Sequence, residues 1–348
     1  MFNIDTYDYN LPKALIAQEP LKERDSSRLM YLRRETGDIS EHIFKELPDL
    51  LEERDTIVIN DTRVIPAKII GKKPTGGRVE ILILNEPIDD KGLRLCLIKS
   101  SKRMKGGQRI DLDGEMEAEV EESLGDGFYK LRFSGNLSID EFLRYKGLMP
   151  IPPYIKRREK DKRDRLDRER YQTIFAKKDG SIAAPTAGLH FSEYVINKLK
   201  SKGIAIYPIT LHVGYGTFKP IRCRDIRNYK LPGEYYKIDK RVAEGINERK
   251  KKGGRIIAVG TTVVRALESV ADKSGKIRHG EGVTELFIYP SYRFKIVDGM
   301  ITNFHLPRSS LLLLVCAFAG VELIKRAYGL AIEKRYRFYS YGDAMLII

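Results

Sequence analysis

The 348-residue chain is long enough for about two domains of ~150 residues each, and its 42% hydrophobic content suffices for real cores. Its 63 Lys and Arg against 48 Asp and Glu leave +15, which favours a polyanionic partner such as RNA or DNA; a basic but ordinary enzyme is the alternative. Three scattered cysteines, no HExxH among five histidines, an N-terminus without an apolar signal segment and no apolar run of ~20 residues exclude a disulfide scaffold, a signal peptide and a membrane helix, and predict a cytoplasmic protein without bound metal.

Residues 11–28 read as a short helix and a polar loop ending in Arg24-Asp25-Ser26-Ser27-Arg28. Leu29–Leu32 and Ile39–Phe44 read as paired strands, Phe44–Leu51 as a short amphipathic helix and Thr56–Ile59 as an apolar strand. Asn60-Asp61-Thr62-Arg63 follows that strand and is either a self-stabilising turn or part of a ligand site.

From Pro66 the texture changes. Short β-rich runs at 67–70, 79–84, 93–98, 110–112, 117–120 and 128–133 are separated by turn clusters, among them Gly76-Gly77 and Asp89-Asp90. Such spacing predicts a small β-barrel or sandwich inserted into an α/β chain, with Lys99, Lys102, Arg103 and Lys105 on one loop. The boundaries expected are 1–65 and 153–348 for the α/β main domain and 66–152 for the insert. Lys156–Arg170 carries nine basic and five acidic side chains, which suits a salt-bridged surface segment or a phosphate-contacting edge.

The centre of the chain is 180–220. The small-residue loop Ala183–His190 includes Thr186. Ser192 caps a helix that stops at Gly203, and the strand Ile204–Ile209 runs into His212-Val213-Gly214-Tyr215-Gly216-Thr217-Phe218. Ligands of open α/β folds sit at the carboxyl ends of strands, where this second loop falls. Downstream, Val242–Lys251 reads as a helix and Arg255–Val259 as a strand. Gly260-Thr261-Thr262 then opens the helix Val263–Ala271, and its free N–H groups suit a carboxylate or phosphate. Thr284–Ile288 and Met300–Thr302 read as strands. Asn303-Phe304-His305 precedes a buried helix, Leu311–Phe318, capped by Ser309 or Ser310. The chain closes on Tyr336–Met345, where Asp343 is either a turn residue or a ligand contact. His190, His212 and His305, each beside a Gly-, Thr- or Pro-rich turn, suit general acid–base work or substrate contacts. The residues alone thus describe a cytosolic α/β enzyme with an anionic or nucleic-acid substrate.

Ordered segments across nearly the full length carry a family resemblance. They include LPKALIAQEP (11–20), INDTRVIPAKIIGKKPTGGRVEILIL (59–84), GLMPIPPYI (147–155), AAPTAGLHF (183–191), LHVGYGTFKP (211–220), AVGTTVVRALES (258–269), ITNFHLPRSSLLLLVCAFAG (301–320) and YRFYSYGDAML (336–346). On these the chain resembles the S-adenosylmethionine:tRNA ribosyltransferase-isomerase family. The resemblance implies a mixed-sheet α/β main domain with an inserted β-barrel. It implies transfer and isomerisation of the ribosyl part of S-adenosylmethionine onto 7-aminomethyl-7-deazaguanine at the tRNA wobble position, giving epoxyqueuosine-tRNA, adenine and methionine. S-Adenosylmethionine is then a co-substrate, no metal or tightly bound cofactor is needed, and a monomer is expected. In one place the chain departs from the family: where members carry two histidines near His-Lys-Met-His, this chain reads Tyr229-Lys230-Leu231-Pro232-Gly233-Glu234, so only Glu234 is carried over.

The reaction set against these residues gives expectations. The sulfonium acidifies the C5′ hydrogens, with His190, His212, Glu234 or Asp343 as the base. His305 protonates the departing adenine. Gly260, Thr261, Thr262 and Arg265 hold the methionine carboxylate, with Asn303 beside them. Arg28, Asn60, Asp61, Arg63 and Thr186 line the substrate, and Tyr171 or Phe218 stacks on the unstacked base. A methyltransferase using the same co-substrate and a non-catalytic RNA-binding module are the rival classes.

Overall fold

The computed structural model describes residues 1–84, 92–157, 161–218 and 221–348, with backbone alone for 217 and 218. The first elements are β1 (Arg28–Leu32), β2 (Ile39–Ile43), α1 (Leu47–Leu50), β3 (Thr56–Asn60) and β4 (Thr62–Val64). Next come β5 (Lys68–Lys72), β6 (Arg78–Ile83), β7 (Arg94–Ser100), β8 (Arg109–Leu112), β9 (Met116–Gly125), β10 (Phe128–Gly135) and α2 (Ile139–Lys146). The chain continues with α3 (Asp164–Arg170), β11 (Lys178–Ser181), α4 (Glu193–Ser201), β12 (Ala205–Leu211), β13 (Glu234–Ile238) and α5 (Lys240–Lys251). It ends with β14 (Ile256–Val259), α6 (Thr261–Val270), β15 (Gly280–Thr284), β16 (Gly299–Asn303), α7 (Ser310–Ala319), α8 (Val321–Glu333) and β17 (Ala344–Ile347).

Nine of the described strands form one mixed sheet in the order β15-β13-β12-β3-β14-β16-β17-β1-β2. Its centre, β12-β3-β14-β16, is parallel, and antiparallel pairs flank it. Because strand side chains alternate between faces, each central strand feeds two cores. Ile57, Ile59, Ile257, Val259 and Ile301 pack with Phe44, Leu47, Val195 and Leu199 under α1 and α4. Val58, Ile256, Ala258 and Met300 face the other way, into the apolar sides of α5, α6, α7 and α8. This sandwiching explains why the strands read as continuous apolar runs.

Six further strands pair antiparallel in the order β10-β7-β6-β5-β8-β9, and β9 pairs in turn with β10. Their inward side chains, among them Ile81, Ile98, Ile110 and Leu131, form a separate core closed by Phe142 and Leu143 of α2. Gly71 is required there: a Cβ would lie 2.6 Å from Ile110 Cγ2 and 2.6 Å from Leu112 Cδ2. The chain enters and leaves this module side by side, with Lys68 N donating to Leu148 O (3.2 Å) and Leu148 N to Lys68 O (2.7 Å). The Asp89-Asp90 turn lies outside the described residues, as do residues 158–160 of the basic segment.

Some expectations need correction. Residues 11–28 form isolated 3₁₀ turns, Lys13–Leu15 and Arg24–Ser26, rather than a helix. Pro12 and Pro20 interrupt any helix there, and Ile16 is drawn into a bridge with Phe338. The strand expected at 284–288 is Gly280–Thr284 instead, because its register with Glu234–Ile238 is set by β13, which had no strand assigned. Helices α2 and α8 and strand β17 were also unforeseen. Helix α8 follows α7 directly across Gly320 (φ +86°), a conformation glycine permits. Much of Lys156–Arg170 is stitched into the fold: Arg157 pairs with buried Asp167 (2.7 Å), Arg163 with Asp161 and Glu19, and Arg170 binds the carbonyls of Leu21 and Lys22.

Glu268 of α6 is fully buried and accepts from Lys295 N, Ile296 N, Val297 N and Tyr292 Oη at 2.9–3.1 Å. It holds the segment leading into β16. Each buried donor left without an acceptor costs about 1–3 kcal/mol, so Glu268→Ala is expected to lose at least about 3 kcal/mol in urea unfolding. A loss below about 1 kcal/mol contradicts this role.

Candidate active site

Parallel strands β14 and β16 end side by side, and a small cavity lies beyond their carboxyl ends. After Val259 the chain turns through Gly260 (φ +96°) into α6, and Thr261 and Thr262 reach the cavity wall. Among the described residues no side chain caps α6, so its first N–H groups and the positive end of its dipole remain available. The neighbouring helix α7 differs: Ser309 Oγ accepts from Leu312 N (3.2 Å). Tyr154, Thr186, Val213, His305, Tyr339 and Ser340 complete most of the wall.

Asn303, at the end of β16, organises this cavity. Its Oδ1 accepts from Thr186 Oγ1 (2.8 Å), and its Nδ2 donates to His190 Nε2 (3.0 Å) and to the carbonyls of Tyr339 (3.2 Å) and Asp343 (3.4 Å). With Nε2 accepting, His190 carries its proton on Nδ1 and donates to Ser27 Oγ (2.7 Å). Both ring nitrogens are thus engaged, and the ring stacks on Phe44. Burial, helped by Arg337 and Arg24, lowers the His190 pKa to about 3. His305 is lowered to about 3 by burial alone, and its Nε2 bonds Thr302 Oγ1 (2.8 Å). Both rings are neutral at pH 7.

A second cavity adjoins the first across Val213, which lines both. His212, Gly214, Tyr215, Glu234 and Tyr235 line it, with Leu84 and Phe128 contributed by the six-stranded module. His212 stacks on Tyr235 (centroids 5.4 Å, 22°), and its Nδ1 meets Thr62 Oγ1 at 2.8 Å. Burial lowers the His212 pKa, against the raising influence of Asp61 and Asp179. Glu234 Oε1 accepts from Gly214 N (3.0 Å), and Oε2 pairs with Arg265 Nη2. Burial lowers the Arg265 pKa to about 10, so the guanidinium stays charged at pH 7.

The remaining expected residues divide. Thr186, Gly260, Thr261, Thr262, Asn303 and His305 gather at the first cavity; His212 and Glu234 sit at the second. Arg265 does not line the first cavity, because its guanidinium turns to Glu234 on β13. Asn60 and Asp61 are buried and bound to β12: Asn60 Nδ2 donates to Leu211 O, and Asp61 Oδ1 accepts from Thr210 Oγ1 (2.7 Å). They fix the strand ends rather than line a cavity. Arg28 is held outside by Glu41 (2.6 Å) and the Tyr336 ring, and Arg63 by Asp179 (3.3 Å). The Tyr171 ring is fully buried against Tyr341, which removes it as a stacking platform. The Phe218 side chain lies outside the described residues. Asp343 is a structural clasp, since its two oxygens accept from Arg28 N (2.9 Å) and Arg337 N (2.7 Å). Thr62, Thr302 and Tyr235 went unrecognised as partners of the histidines. Thr302 lies three residues before His305 and was within reach of a local reading; the other two required the fold. Among the described residues no group of His, Cys, Asp and Glu has the makings of a metal site, and no helix is long and apolar enough to cross a membrane.

A mixed α/β fold with a cavity at its parallel strand ends, a helix N-terminus opening on it and a second cavity beside it is an arrangement on which α/β enzymes bind small molecules. The family described as "Queuosine biosynthesis protein" matches residues 4–347. The chain is 46% identical over 345 residues to the S-adenosylmethionine:tRNA ribosyltransferase-isomerase of Trichlorobacter lovleyi, covering 99% of each chain. It is 50% identical over 342 residues to that of Caldanaerobacter subterraneus subsp. tengcongensis, covering 98% of each. The crystal structure of an S-adenosylmethionine tRNA ribosyltransferase from Thermotoga maritima is similar at 36% identity and a TM-score of 0.55, over 99% of this chain and 100% of that one. The chain belongs to the queuosine biosynthesis protein family, and the relatives named above are enzymes.

The buried neutral histidines have a measurable consequence. Between pH 6.5 and about 3 the unfolded chain binds protons that folded His190 and His305 refuse, so their stabilisation is complete above pH 6.5 and lost as pH falls. Each contributes a slope of about 1.4 kcal/mol per pH unit in that window. Urea unfolding from pH 7 to pH 5 is expected to show a shallower pH slope in His190→Gln than in the unaltered protein. Equal slopes contradict the assignment.

Proposed function

We propose that this enzyme transfers and isomerises the ribosyl part of S-adenosylmethionine onto 7-aminomethyl-7-deazaguanine at the wobble position of a tRNA, leaving epoxyqueuosine in the tRNA and releasing adenine and methionine. Family membership supports the reaction class. The observation that carries the site assignment is the first cavity, where an uncapped helix N-terminus and a neutral histidine face the same space at the parallel strand ends.

In this reading S-adenosylmethionine occupies the first cavity as co-substrate, with no resident metal. Its methionine carboxylate lies at the N–H groups of Thr261 and Thr262. A Thr302 hydroxyl that donates to His305 Nε2 leaves the ring proton on Nδ1. A neutral His305 then serves as a hydrogen-bond donor to the departing adenine rather than as an imidazolium acid. Two proton acceptors are needed, one at the acidified C5′ carbon and one at the nucleophilic amine. His190 and Asp343 are poor choices because their acceptor atoms are bound within the fold. His212 on the second cavity remains as one of them; Glu234 lines the same cavity, but its oxygens are bound to Gly214 N and Arg265.

We read the six-stranded module as a small barrel inserted at 66–152 between the two parts of the main domain, 1–65 and 153–348. A cleft between module and main domain is lined by Lys99, Lys156, Arg157 and Lys68, the last paired with Glu80 (3.1 Å), and Lys102, Arg103 and Lys105 are exposed on the loop that follows β7. These cations suit tRNA phosphates. The protein acts in this account as a cytoplasmic monomer without membrane contact.

The test is a single-turnover reaction with tRNA carrying the aminomethyl base. One adenine and one methionine per modified tRNA are expected; S-adenosylhomocysteine in their place overturns the proposal. His305→Ala is expected to slow adenine release about 100-fold, the usual cost of one well-placed donor. Decarboxylated S-adenosylmethionine is expected to bind roughly 10-fold more weakly, as loss of an anion from a helix N-terminus implies; equal binding removes the α6 assignment.

A further inference from the structure

Three hollows adjoin in sequence. The basic cleft shares Ile182 and Tyr215 with the second cavity, and the second cavity shares Val213 with the first. A nucleic-acid backbone lying in the cleft would therefore meet the second cavity before the first. That cavity is the right kind of place for a flat base. Leu84 and Phe128 of the module give it apolar walls, and the stacked pair His212–Tyr235 gives it a ring surface.

The hydrogen bonding of His212 fixes its chemistry. Where the Thr62 hydroxyl donates to Lys178 O, 3.4 Å away, its proton lies away from His212. The same oxygen then accepts from His212 Nδ1–H at 2.8 Å. The neutral ring thus carries its lone pair on Nε2. No hydrogen bond reaches Nε2 from the described residues, whereas both nitrogens of His190 are engaged.

We propose that the second cavity takes the 7-aminomethyl-7-deazaguanine base of the tRNA, that His212 Nε2 accepts a proton from its aminomethyl ammonium, and that Thr62 is the positioning residue that fixes the histidine tautomer. This rests on the reaction proposed above. An ammonium is no nucleophile until it loses a proton. In the step, one N–H bond of –CH₂–NH₃⁺ breaks and an Nε2–H bond forms. The pair left on nitrogen becomes the attacking pair, and the positive charge passes to the imidazolium. The charged and titratable groups facing His212 are Asp61 behind β3, Asp179 on β11, Glu234 and Tyr235 on β13, and Tyr215 in its own loop. The carboxylates steady the imidazolium once formed. The lowered His212 pKa keeps the resting ring neutral and ready to accept.

The experiment is single-turnover formation of the modified nucleoside by His212→Gln between pH 6 and pH 10, with S-adenosylmethionine binding measured by calorimetry on the same protein. The variant is expected to be about 100-fold slow at pH 7, within the usual range for a lost general base. The deficit is expected to shrink below about 10-fold by pH 10, as the amine approaches its own pKa of roughly 10 and loses the proton unaided. Its affinity for S-adenosylmethionine is expected to stay within about twofold of the unaltered enzyme, because that ligand lies across Val213. A deficit constant with pH, an unimpaired variant or lost S-adenosylmethionine binding overturns the proposal. Thr62→Val is expected to reproduce the altered pH profile and Thr62→Ser to restore it; a Val variant slow by one factor at every pH refutes the positioning role. Absence of adenine release in the unaltered enzyme would instead refute the reaction itself, so the two failures are distinguishable.

Discussion

The side-chain amide of Asn303 is the junction on which the site depends. One acceptor and one donor group tie two segments of the chain to the end of β16: the Thr186–His190 turn, through both its end residues, and the loop 339–343, through the Tyr339 and Asp343 carbonyls. The segments 186–190 and 339–343 lie more than a hundred residues apart in sequence, and the amide is buried where water offers no substitute. A buried polar group with all partners satisfied specifies one arrangement, because every alternative leaves a donor or acceptor unpaired. The floor of the first cavity is fixed in this way by a residue with little of its own surface to offer a ligand.

Around that junction the main sheet does two jobs. Its central parallel strands bury both faces and so form a rigid floor, while their carboxyl ends leave a row of loops on one edge. The loops hold histidines of different character. His190 is locked by two hydrogen bonds and behaves as part of the scaffold. His305 and His212 each spend one nitrogen on a threonine hydroxyl and retain the other. The buried pair Glu234–Arg265 links the second cavity to α6, whose N-terminus borders the first. Truncating either partner would leave a buried charge alone, which is far more costly than never having had the pair.

Local signals were legible in the sequence. The alternating short strands of the module, the Ser192 and Ser309 caps and the Gly260-Thr261-Thr262 turn all depend on neighbours a few residues away, and all are present. Elements set by distant partners were not. Strand β17 is a short apolar tail whose identity comes from lying between β1 and β16. Strand β13 is half polar and gains its register from β12 and β15. The site divides in the same manner. That His190, His212 and His305 lie in loops could be read directly, but which of them is locked depends on Ser27, Asn303, Thr62 and Thr302. Arg265 looked like a carboxylate ligand beside a helix start, and its buried partner Glu234 was invisible from thirty-odd residues upstream.

In the proposed reaction, two small cavities divided by Val213 hold the two substrates face to face. The most direct measurement is the structure of the enzyme in complex with a tRNA bearing the aminomethyl base and a non-reactive S-adenosylmethionine analogue. The account predicts the analogue's carboxylate at the start of α6 with its adenine near His305, and the base across Val213 with its amine within hydrogen-bonding distance of His212 Nε2. An analogue seated against His212, or a base bound away from both cavities, would contradict it.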